Sequence, residues 1–322
     1  MSDPHAPDAP APELSVIAPV FNEAENVPLL LERLTPVLER CVASHEIIFV
    51  DDGSHDATMA AVRAARAHDP RIDAVSFSRN FGKEIAIAAG VDIARGRAAV
   101  IMDCDLQHPP EVIEQFVAKW REGYDNVFGQ RIDRAADSPL RRALTLRFYK
   151  VFARFGETDL PAGAGDFRLL DRRALTALQS MRERARFSKG LYAWIGFKSV
   201  GVPFDVAERA RGQSKFSYRK LTRFALDGLM SFSTLPLMVW SFIGVVISVF
   251  AMTIGVYFMA RTALYGVDVP GYASLIVSVM FLSGVQLLSL GVIGEYIGRI
   301  FSEVKGRPLY IVAERLSETP PP

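Results

Sequence analysis

Two long runs without a charged side chain constrain this 322-residue chain more than any other feature. They extend over Leu235–Ala260 and Val269–Gly294, and each is 26 residues long. About 20 apolar residues in a helix are enough to cross the hydrocarbon core of a bilayer. A buried helix of a soluble protein rarely continues so far without a charge. The two runs therefore predict two transmembrane helices.

The charges around the runs predict their orientation. The loop between them carries only Arg261 and Asp268, whereas basic side chains lie outside it: Arg219, Lys220 and Arg223 before the first run, and Arg299, Lys305, Arg307 and Arg315 after the second. Positive residues stay on the cytoplasmic side. We therefore expect a multi-pass protein of the inner or plasma membrane, with both termini and the soluble part in the cytoplasm.

The composition divides the rest of the chain. Residues 1–12 are rich in proline and contain no apolar core, which predicts a disordered tail rather than a signal peptide. Residues 218–234 have an apolar helical face, typical of a helix in the membrane interface or of one packed on the soluble part. The predicted segments are a tail (1–12), a catalytic domain (13–217), an interfacial helix (218–234), a first transmembrane helix (235–260), a short non-cytoplasmic loop (261–268), a second transmembrane helix (269–297) and a cytoplasmic C-terminal tail (298–322).

Charge and cysteine content narrow the class of partner. Residues 181–223 carry 11 basic and three acidic side chains, directly before the apolar segments. This excess predicts attraction to anionic membrane lipid or to an anionic substrate, although a solvated basic surface has the same pattern. No recognised reader motif accompanies it, so we expect no nucleic-acid partner. The two cysteines, Cys41 and Cys104, offer no disulfide framework, and we expect both to be buried core residues.

Strands and helices alternate in the soluble part. Short apolar segments predict strands over Leu14–Ala18, Glu46–Val50, Ile72–Ser76 and Ala98–Met102, with helices near Glu25–Cys41, Asp56–His68 and Lys83–Ala94. This order predicts an α/β domain with a mostly parallel sheet flanked by helices. Ligands of such sheets bind at the carboxyl ends of the strands, where the polar clusters of this sequence fall.

A pair of acidic residues follows the fourth predicted strand. Asp103 and Asp105 stand two positions apart, and Gln107 comes two positions later. Two carboxylates released from a strand into a turn can converge on one divalent cation, and the Gln107 amide oxygen can add a hard ligand. Oxygen ligands with vacant positions suit Mg²⁺ or Mn²⁺ shared with a diphosphate. The same tripeptide alone would also fit a helix cap or a solvated turn.

The surrounding motifs closely resemble those of family 2 glycosyltransferases, which have the GT-A fold, and of their polyprenyl-phosphate branch (the bactoprenol glucosyltransferase and dolichyl-phosphate mannose synthase type). The resemblance covers about residues 13–310. It rests on Pro19–Glu23, Val50–Ser54, Ser78–Glu84, Asp103–Gln107, Gly165–Leu170, Arg186–Gly190 and Gly212–Lys215.

The resemblance implies roles for individual residues. A nucleotide-sugar pocket would comprise Pro19, Phe21, Glu23, Val50, Asp52, Lys83, Asp103 and Cys104. Asp105 and Gln107 would hold the metal, Arg131 would lie near the phosphates and Lys215 would close over the diphosphate. The residues alone leave two alternatives: Asp52 could merely cap the helix that follows it, and Lys83 could be an ordinary lysine on a helix face. His108 replaces an acidic or other polar residue of the family, and we interpret it as a surface variation.

The implied reaction is inverting transfer of a sugar from a nucleotide-sugar to polyprenyl (undecaprenyl) phosphate. The basic residues Arg184, Arg186 and Lys189, with Ser188, are suited to capturing the lipid phosphate, although they could also be only solvated. A phosphate monoester with its second pKa near ~6 is already an anion at neutral pH and needs no general base. We therefore assign Asp166 to orienting the acceptor site or the donor sugar, with Arg168 as its salt-bridge partner.

Other classes fit the sequence less well. A processive polysaccharide synthase is disfavoured because none of the three tryptophans follows an arginine, and a Rossmann dehydrogenase because no Gly-x-Gly-x-x-Gly follows the first strand. A non-catalytic membrane scaffold would not need the acidic motif together with the basic segment. UDP-glucose is the first choice of donor, with aminoarabinose, N-acetylhexosamine and mannose donors open. Two transmembrane helices per chain favour a homo-oligomer.

Overall fold

The computed structural model describes residues 11–131, 164–184, 186–205, 235–265 and 271–316. The chain divides into two compact units, one of residues 1–224 together with 307–322 and the other of residues 225–306. Lys215, the predicted interfacial helix over 218–234, and all but the last two residues of the predicted tail lie outside the described residues.

The first unit is built on one sheet of eight strands. They are β1 (Leu14–Val20), β2 (His45–Asp51), β3 (Ile72–Phe77), β4 (Ala98–Ile101), β5 (Asn126–Arg131), β6 (Ala164–Asp171), β7 (Ser199–Phe204) and β8 (Val312–Arg315). Their spatial order is β7-β5-β6-β4-β1-β2-β3-β8. The pairs β1–β2, β1–β4, β2–β3 and β5–β7 are parallel, whereas β6 runs antiparallel to β4 and β5. The sheet is thus mixed, with the predicted parallel strands at its centre.

Among the described residues of this unit, six helices accompany the sheet: α1 (Asn26–Cys41), α2 (Thr58–His68), α3 (Lys83–Ile93), α4 (Val112–Arg121), α5 (Arg172–Ser180) and α6 (Ser188–Trp194). Apolar residues at helical spacing bury one face of α1, among them Leu30, Leu34 and Leu38. In α3, Gly90 allows close approach to the sheet, since a Cβ there would lie 2.2 Å from the Ile17 side chain. The four strands and three helices predicted before residue 103 are all confirmed.

The carboxyl ends of the central strands meet at one edge of the sheet. Val20 pairs with Asp51, and Ile17 pairs with Ile101 at the end of β4. Because β6 runs in the opposite direction, its first residues lie at the same edge: Ile101 pairs with Arg168, so Asp166 extends beyond the end of β4. Residues far apart in sequence are therefore brought together where ligands of such sheets bind.

The predicted cytoplasmic tail over 298–322 differs from the structure. Its first residues continue a helix to Val304, and β8 then adds to the edge of β3 in antiparallel orientation. The Leu316 amide donates to the Ala74 carbonyl at 2.9 Å. A four-residue strand that pairs with a segment more than 200 residues earlier leaves no periodic pattern in the sequence. The first unit thus includes residues beyond the predicted boundary at 217.

The second unit contains two long helices, α7 (Leu235–Tyr265) and α8 (Tyr272–Val304). Phe242–Tyr265 and Ser278–Val304 are long and apolar enough to cross a membrane, with mean hydropathies of 2.3 and 1.5. Large apolar side chains such as Phe250 and Phe281 are more than 60% exposed on them. Each such side chain left in water forgoes about 1.5–3 kcal/mol of burial, against a total domain stability of about 5–15 kcal/mol. A helix pair with this surface associates with a membrane.

Candidate active site

The acidic turn after β4 presents its carboxylates and buries its apolar side chains. Cys104 and Leu106 are 2% and 5% exposed and belong to the hydrophobic core. Leu106 has a positive φ of 60°, and the Gln107 amide donates to Asp105 Oδ1 at 3.1 Å. This alternation leaves Asp103 and Asp105 partly exposed. The Cys104 side chain itself faces the core, so a contact with a nucleotide could come only from its backbone.

Lys83 connects two acidic residues of the site. As the first residue of α3, it lies 2.7 Å from Asp103 Oδ1, 2.8 Å from Asp103 Oδ2 and 3.3 Å from Asp166 Oδ2. Burial alone would lower the pKa of Lys83, but the two carboxylates raise it, so the ammonium stays charged. The alternative that Lys83 is an ordinary lysine on a helix face is therefore excluded by its position.

Asp166 is a partly buried, ionised carboxylate. Burial by itself raises the pKa of Asp166, but Lys83, Lys189 and Arg168 together bring it well below its usual range. Its Oδ1 atom is buried and has no hydrogen-bond partner among the described residues. Such an orphaned acceptor at the edge of the site is available to a donor group of a ligand.

The predicted salt bridge between Asp166 and Arg168 is wrong. Arg168 is 2% exposed and its guanidinium lies 3.6 Å from the centre of the Tyr192 ring. It donates to the Gly165 carbonyl at 2.5 Å and to Asn126 Oδ1 at 3.5 Å. Asp166 and Arg168 are two residues apart in β6, and side chains at that spacing lie on the same face of a strand. The Arg168 guanidinium nevertheless packs on the Tyr192 ring rather than against Asp166. Arg168 contributes positive charge near Asp166 without pairing with it.

Asp52 holds the loop that leads to Lys83. Its Oδ1 accepts the Phe81 amide at 2.6 Å, and its Oδ2 accepts the Gly82 amide at 2.9 Å. Burial raises the pKa of Asp52 and these two donors oppose that shift. The alternative that Asp52 caps the helix directly after it is wrong, since the donors belong to the segment before α3. Asp52 thereby joins the end of β2 to the start of α3.

The loops after β1 and β2 are joined by hydrogen bonds. Asn22, with a positive φ of 56°, donates its amide to Ser54 Oγ at 2.8 Å and accepts from the His55 amide at 2.9 Å. The Glu23 amide donates to Thr58 Oγ1 at 2.9 Å. Phe21 lies edge-on to His55, with ring centres 6.4 Å apart. This rigid pair of loops forms one side of the candidate nucleotide pocket.

Two other predicted pocket residues differ in accessibility. Pro19 is partly exposed at the end of β1, as a pocket residue must be. Val50 is fully buried within β2, so its side chain has no surface to offer a nucleotide. The inward direction of Val50 follows from the strand alternation that places Asp51 on the opposite face.

The basic segment before α6 is attached to the same helix as Lys83. Ser188 donates its amide to Glu84 Oε2 at 3.1 Å, and its hydroxyl donates to the same oxygen. Burial and Asp166 raise the pKa of Glu84, while Ser188 lowers it. Because Glu84 follows Lys83 directly, it fixes the start of α6 beside the carboxylates. Sequence reasoning missed Glu84, since an acidic residue in a first helical turn is common for reasons of the helix dipole alone.

Arg186, one of the candidate lipid-phosphate residues, uses only some of its side-chain donors within the described part of the chain. Arg186 donates from Nη1 to the Met181 carbonyl at 2.7 Å, but its buried Nε has no partner among the described residues. Lys189 lies close enough to Asp166 to lower the pKa of that carboxyl. Arg184 is partly exposed. The segment thus supplies positive charge beside Asp166, together with an unused donor on Arg186.

His108 is not a surface variation. Its ring stacks on Phe167 with centres 4.8 Å apart and lies edge-on to Phe204 at 5.9 Å. Burial lowers the pKa of His108, so the neutral ring is favoured. The interpretation from sequence failed because Phe167, the partner ring, is 59 positions away. His108 Nδ1 also accepts the Asp103 amide at 3.5 Å, so the ring contacts the acidic turn.

Only the backbone of Arg131 is described, and it ends β5. Within the described part of the chain, no group of three or more His, Cys, Asp or Glu side chains is placed to hold a metal ion. Asp105 and Gln107 supply hard oxygen donors, which fit Mg²⁺ or Mn²⁺ if a diphosphate completes the coordination. The site as a whole combines an acidic turn, one bridging lysine and a basic segment, which is suited to binding two phosphate-bearing ligands.

Comparison with known proteins agrees with this geometry. The model of glycosyl transferase family 2 matches residues 15–178. An uncharacterized glycosyltransferase of Synechocystis is 48% identical over 94% of this chain and 95% of its own length. A prophage-derived bactoprenol glucosyl transferase of Shigella flexneri is 42% identical, covering 93% and 97%.

Among solved structures, glucosyl-3-phosphoglycerate synthase of Mycobacterium tuberculosis aligns with a TM-score of 0.50 and 17% identity, covering 68% of this chain and 78% of that one. This likeness confirms the predicted GT-A fold. The sequence motifs, the carboxyl-edge site and the relatives lead to one conclusion: this chain belongs to glycosyl transferase family 2 and is a glycosyltransferase.

Proposed function

We propose that the protein transfers glucose from UDP-glucose to polyprenyl phosphate, with inversion at the anomeric carbon. The observation that carries the proposal is the placement of Lys83 and Glu84. Lys83 binds the carboxylates of Asp103 and Asp166, and Glu84 binds the start of the basic segment at Ser188. A donor site and an acceptor site thus share one turn of α3. The bactoprenol glucosyl transferases at 42% identity over nearly their full length support the lipid acceptor and glucose.

The acceptor needs no general base. The second pKa of a phosphate monoester is near ~6, so its oxygen is already anionic at neutral pH. Asp166 fits this chemistry, because the cations around it depress its pKa and make it a poor proton acceptor. The task of the protein is then to position the two phosphates and to offset their mutual repulsion.

The basic side chains have separable tasks. Lys83 offsets the negative charge of the carboxylates where the diphosphate has to approach. Arg186 and Lys189 attract the lipid phosphate, and their side-chain N–H groups are suited to charge-assisted hydrogen bonds with it. Arg184, Arg131 and Lys215 are proposed as further cations near the phosphates.

A divalent cation completes the proposed site. Asp105 and Gln107 would hold it, and the structural neighbour from Mycobacterium tuberculosis was crystallised with Mn²⁺ and UDP. When bound, the cation neutralises charge on the departing nucleotide. Mg²⁺ and Mn²⁺ are both compatible with these oxygen ligands.

We further propose that the catalytic unit and both termini are cytoplasmic. The chain leaves the sheet after β7, passes through α7 and α8, and returns to the sheet as β8. Since β8 pairs with β3, the segments before α7 and after α8 have to lie on the same side of a membrane. An even number of crossings satisfies this requirement, and the basic flanks favour the cytoplasmic side. The exposed apolar surfaces of α7 and α8 would pack in a homo-oligomer.

The direct test is transfer of labelled glucose from UDP-glucose to undecaprenyl phosphate by the purified full chain in detergent. We expect a lipid-linked product that requires both substrates, together with released UDP. Parallel reactions with UDP-N-acetylglucosamine, GDP-mannose and a UDP-aminoarabinose test the other donors. Product from one of these, and none from UDP-glucose, would overturn the choice of sugar. Nucleotide release with no dependence on the lipid would overturn the choice of acceptor.

A further inference from the structure

Tyr310 is held at both ends of its side chain. Its ring stacks on Phe77, with ring centres 5.0 Å apart and planes 22° apart. Its hydroxyl donates to Asp92 Oδ2 at 3.0 Å, and Arg182 donates to the same oxygen at 2.7 Å. Tyr310 comes six residues after α8 ends and two residues before β8 begins, so its contacts attach the returning segment to β3 and α3.

The backbone of the returning segment also contacts the residue that follows β3. The Ser78 amide donates to the Ile311 carbonyl at 3.0 Å. The ladder between β3 and β8 shifts register between Ser76 and Phe77. The pairing therefore continues past the end of β3 and into the loop formed by residues 78–82.

The inner side of that loop lies against the candidate nucleotide pocket. Phe81 and Gly82 donate their amides to Asp52. The backbone of Arg79 passes so close to Gly53 that a Cβ at Gly53 would lie 2.6 Å from the Arg79 carbonyl carbon. The φ of Gly53 is also positive, at 71°. The loop then ends at Lys83, which binds Asp103 and Asp166.

The outer side of the loop lies against Phe77. Phe81 packs edge-on to the Phe77 ring, with centres 5.6 Å apart, and the Arg79 guanidinium lies 4.0 Å from the centre of the Phe81 ring. Tyr310, Phe77 and Phe81 therefore form a continuous aromatic row. One end of the row is the segment that returns from α8, and the other end is the loop that Asp52 holds.

From these contacts we propose that Tyr310 is a positioning residue of the donor site, which keeps the loop over residues 78–82 in the conformation that binds a nucleoside diphosphate. The proposal rests on the proposed function, because Asp52 and Lys83 are assigned there to the donor. Tyr310 does not touch the nucleotide and acts through Phe77 and Phe81. The nucleotide site is thereby completed by a segment beyond the second apolar helix.

Four variants distinguish a positioning role of Tyr310 from a general effect on the stability of β8. Tyr310→Ala removes the ring at the end of the aromatic row, and Tyr310→Phe keeps the ring but removes the hydrogen bond to Asp92. Glu314→Gln is the control: it weakens the ion pair (2.5 Å) between Glu314 of β8 and Arg63 of α2, away from the loop. Tyr310→Leu retains apolar volume without a ring and replaces the alanine variant if that variant does not fold.

The measurement is binding of UDP to the full chain in detergent by calorimetry, with steady-state kinetics for both substrates. We expect Tyr310→Ala or Tyr310→Leu to raise the Kd for UDP and the KM for UDP-glucose by about three- to tenfold, the range expected for loss of an aromatic pair. The KM for polyprenyl phosphate should not change. Tyr310→Phe and Glu314→Gln should bind UDP as the unmodified protein does.

Three outcomes would contradict the positioning role of Tyr310, and the third would also contradict the proposed function. If the unmodified protein binds UDP and the ring-less variant binds it equally well, the positioning role is overturned and the proposed function stands. If Tyr310→Ala and Glu314→Gln weaken UDP binding equally, the strand acts only through stability, and the positioning role is again overturned. If the unmodified protein binds neither UDP nor UDP-glucose, the proposed function fails and the role of Tyr310 fails with it.

Discussion

Asp105 is the residue on which metal dependence rests. Its carboxylate is the one anionic ligand that we assign to the cation, so Asp105→Ala should reduce transfer at least about a hundredfold, which corresponds to roughly 3 kcal/mol of lost charge stabilisation. EDTA should have the same effect on the unmodified protein, with recovery on adding Mg²⁺ or Mn²⁺. Glu111→Ala, which removes an exposed carboxylate paired with Arg33, is the control. Full activity in chelator would contradict the metal assignment.

Asp166 tests whether a carboxylate takes the proton of the acceptor. Its pKa is held below the usual range, and a phosphate acceptor has no proton to lose at neutral pH. Asp166→Asn should therefore retain measurable transfer, at a rate that does not follow a carboxylate ionisation. The measurement is the pH dependence of kcat between about pH 5 and 9. Complete loss of chemistry with both substrates still bound would instead identify Asp166 as a general base.

The pair of Lys83 and Asp166 predicts a signed pH dependence of stability. In the unmodified protein the pKa of Asp166 is lowered, so its stabilisation is present at neutral pH and is lost only as the pH falls through that low value. Lys83→Met leaves the partly buried carboxylate without its closest cation, which raises the pKa of Asp166. The variant should be less stable at pH 7 by about 1–2 kcal/mol, below the ~3–5 kcal/mol of a fully buried pair because the Lys83 side chain is 42% exposed.

Thermal unfolding in detergent measures this effect. The difference in Tm between Lys83→Met and the unmodified protein should narrow as the pH falls from 7 towards about 4, where the unpaired carboxyl becomes neutral. Lys119→Met, which removes an exposed lysine paired with Glu122, should have no such pH dependence. A difference that stays constant over this range would mean that Lys83 does not control the ionisation of Asp166.

The residues of the acidic turn could be predicted, but their partners could not. Asp103, Asp105 and Gln107 lie within five residues of one another and follow the apolar strand β4, so the local sequence pattern was sufficient to predict a polar turn. The contact of Lys83 with Asp166 joins residues 83 positions apart and depends on β6 running antiparallel beside β4. Arg168 and His108 were misinterpreted for the same reason, since their aromatic partners, Tyr192 and Phe167, become neighbours only in the folded sheet.

At the scale of elements, the segment from Arg184 to α6 is the candidate acceptor site. Arg186→Ala and Lys189→Ala should each raise the KM for polyprenyl phosphate, by about tenfold if one charge-assisted hydrogen bond of roughly 1.5–3 kcal/mol is lost. The affinity for UDP should persist, because neither side chain belongs to the loops after β1 and β2. Acceptor kinetics in detergent and calorimetry with UDP measure the two effects.

Arg173→Ala is a matched control for these two variants. It removes one positive charge from α5, where Arg173 pairs with Asp125 at 2.5 Å. Its acceptor kinetics should resemble those of the unmodified protein. Unchanged acceptor kinetics in both Arg186→Ala and Lys189→Ala would place the lipid phosphate elsewhere.

The elements that the sequence predicts well are those with strong local periodicity. The apolar runs of β1, β2 and β4 are buried almost throughout, and the stripe on α1 repeats at helical spacing, so burial and pattern coincide. The strand β8 has four residues, of which Val312 is exposed, and it carries no comparable signal. β8 forms on an edge of β3 that would otherwise be unpaired, and a sequence pattern does not show which strand of a sheet has such an edge.

At the scale of the whole molecule, the chain path predicts the membrane topology. Both ends of the helix pair connect to one sheet, so α7 and α8 should cross in opposite directions with residues 266–271 on the far side. Reporter fusions after Tyr265 and after Pro322 should therefore give opposite signals, with the second one cytoplasmic. Matching signals would mean that one of the two helices does not cross.

The late position of β8 has a consequence for biosynthesis. The ribosome makes β3 well before β8, and both apolar helices are synthesised in the interval. Until then β3 presents an open edge, which is a site for unwanted pairing between nascent chains. Closure of that edge therefore requires a chain that already contains α7 and α8. In the membrane topology proposed above, chains truncated before β8 should keep this open edge, and they should be degraded rather than accumulate as active enzyme.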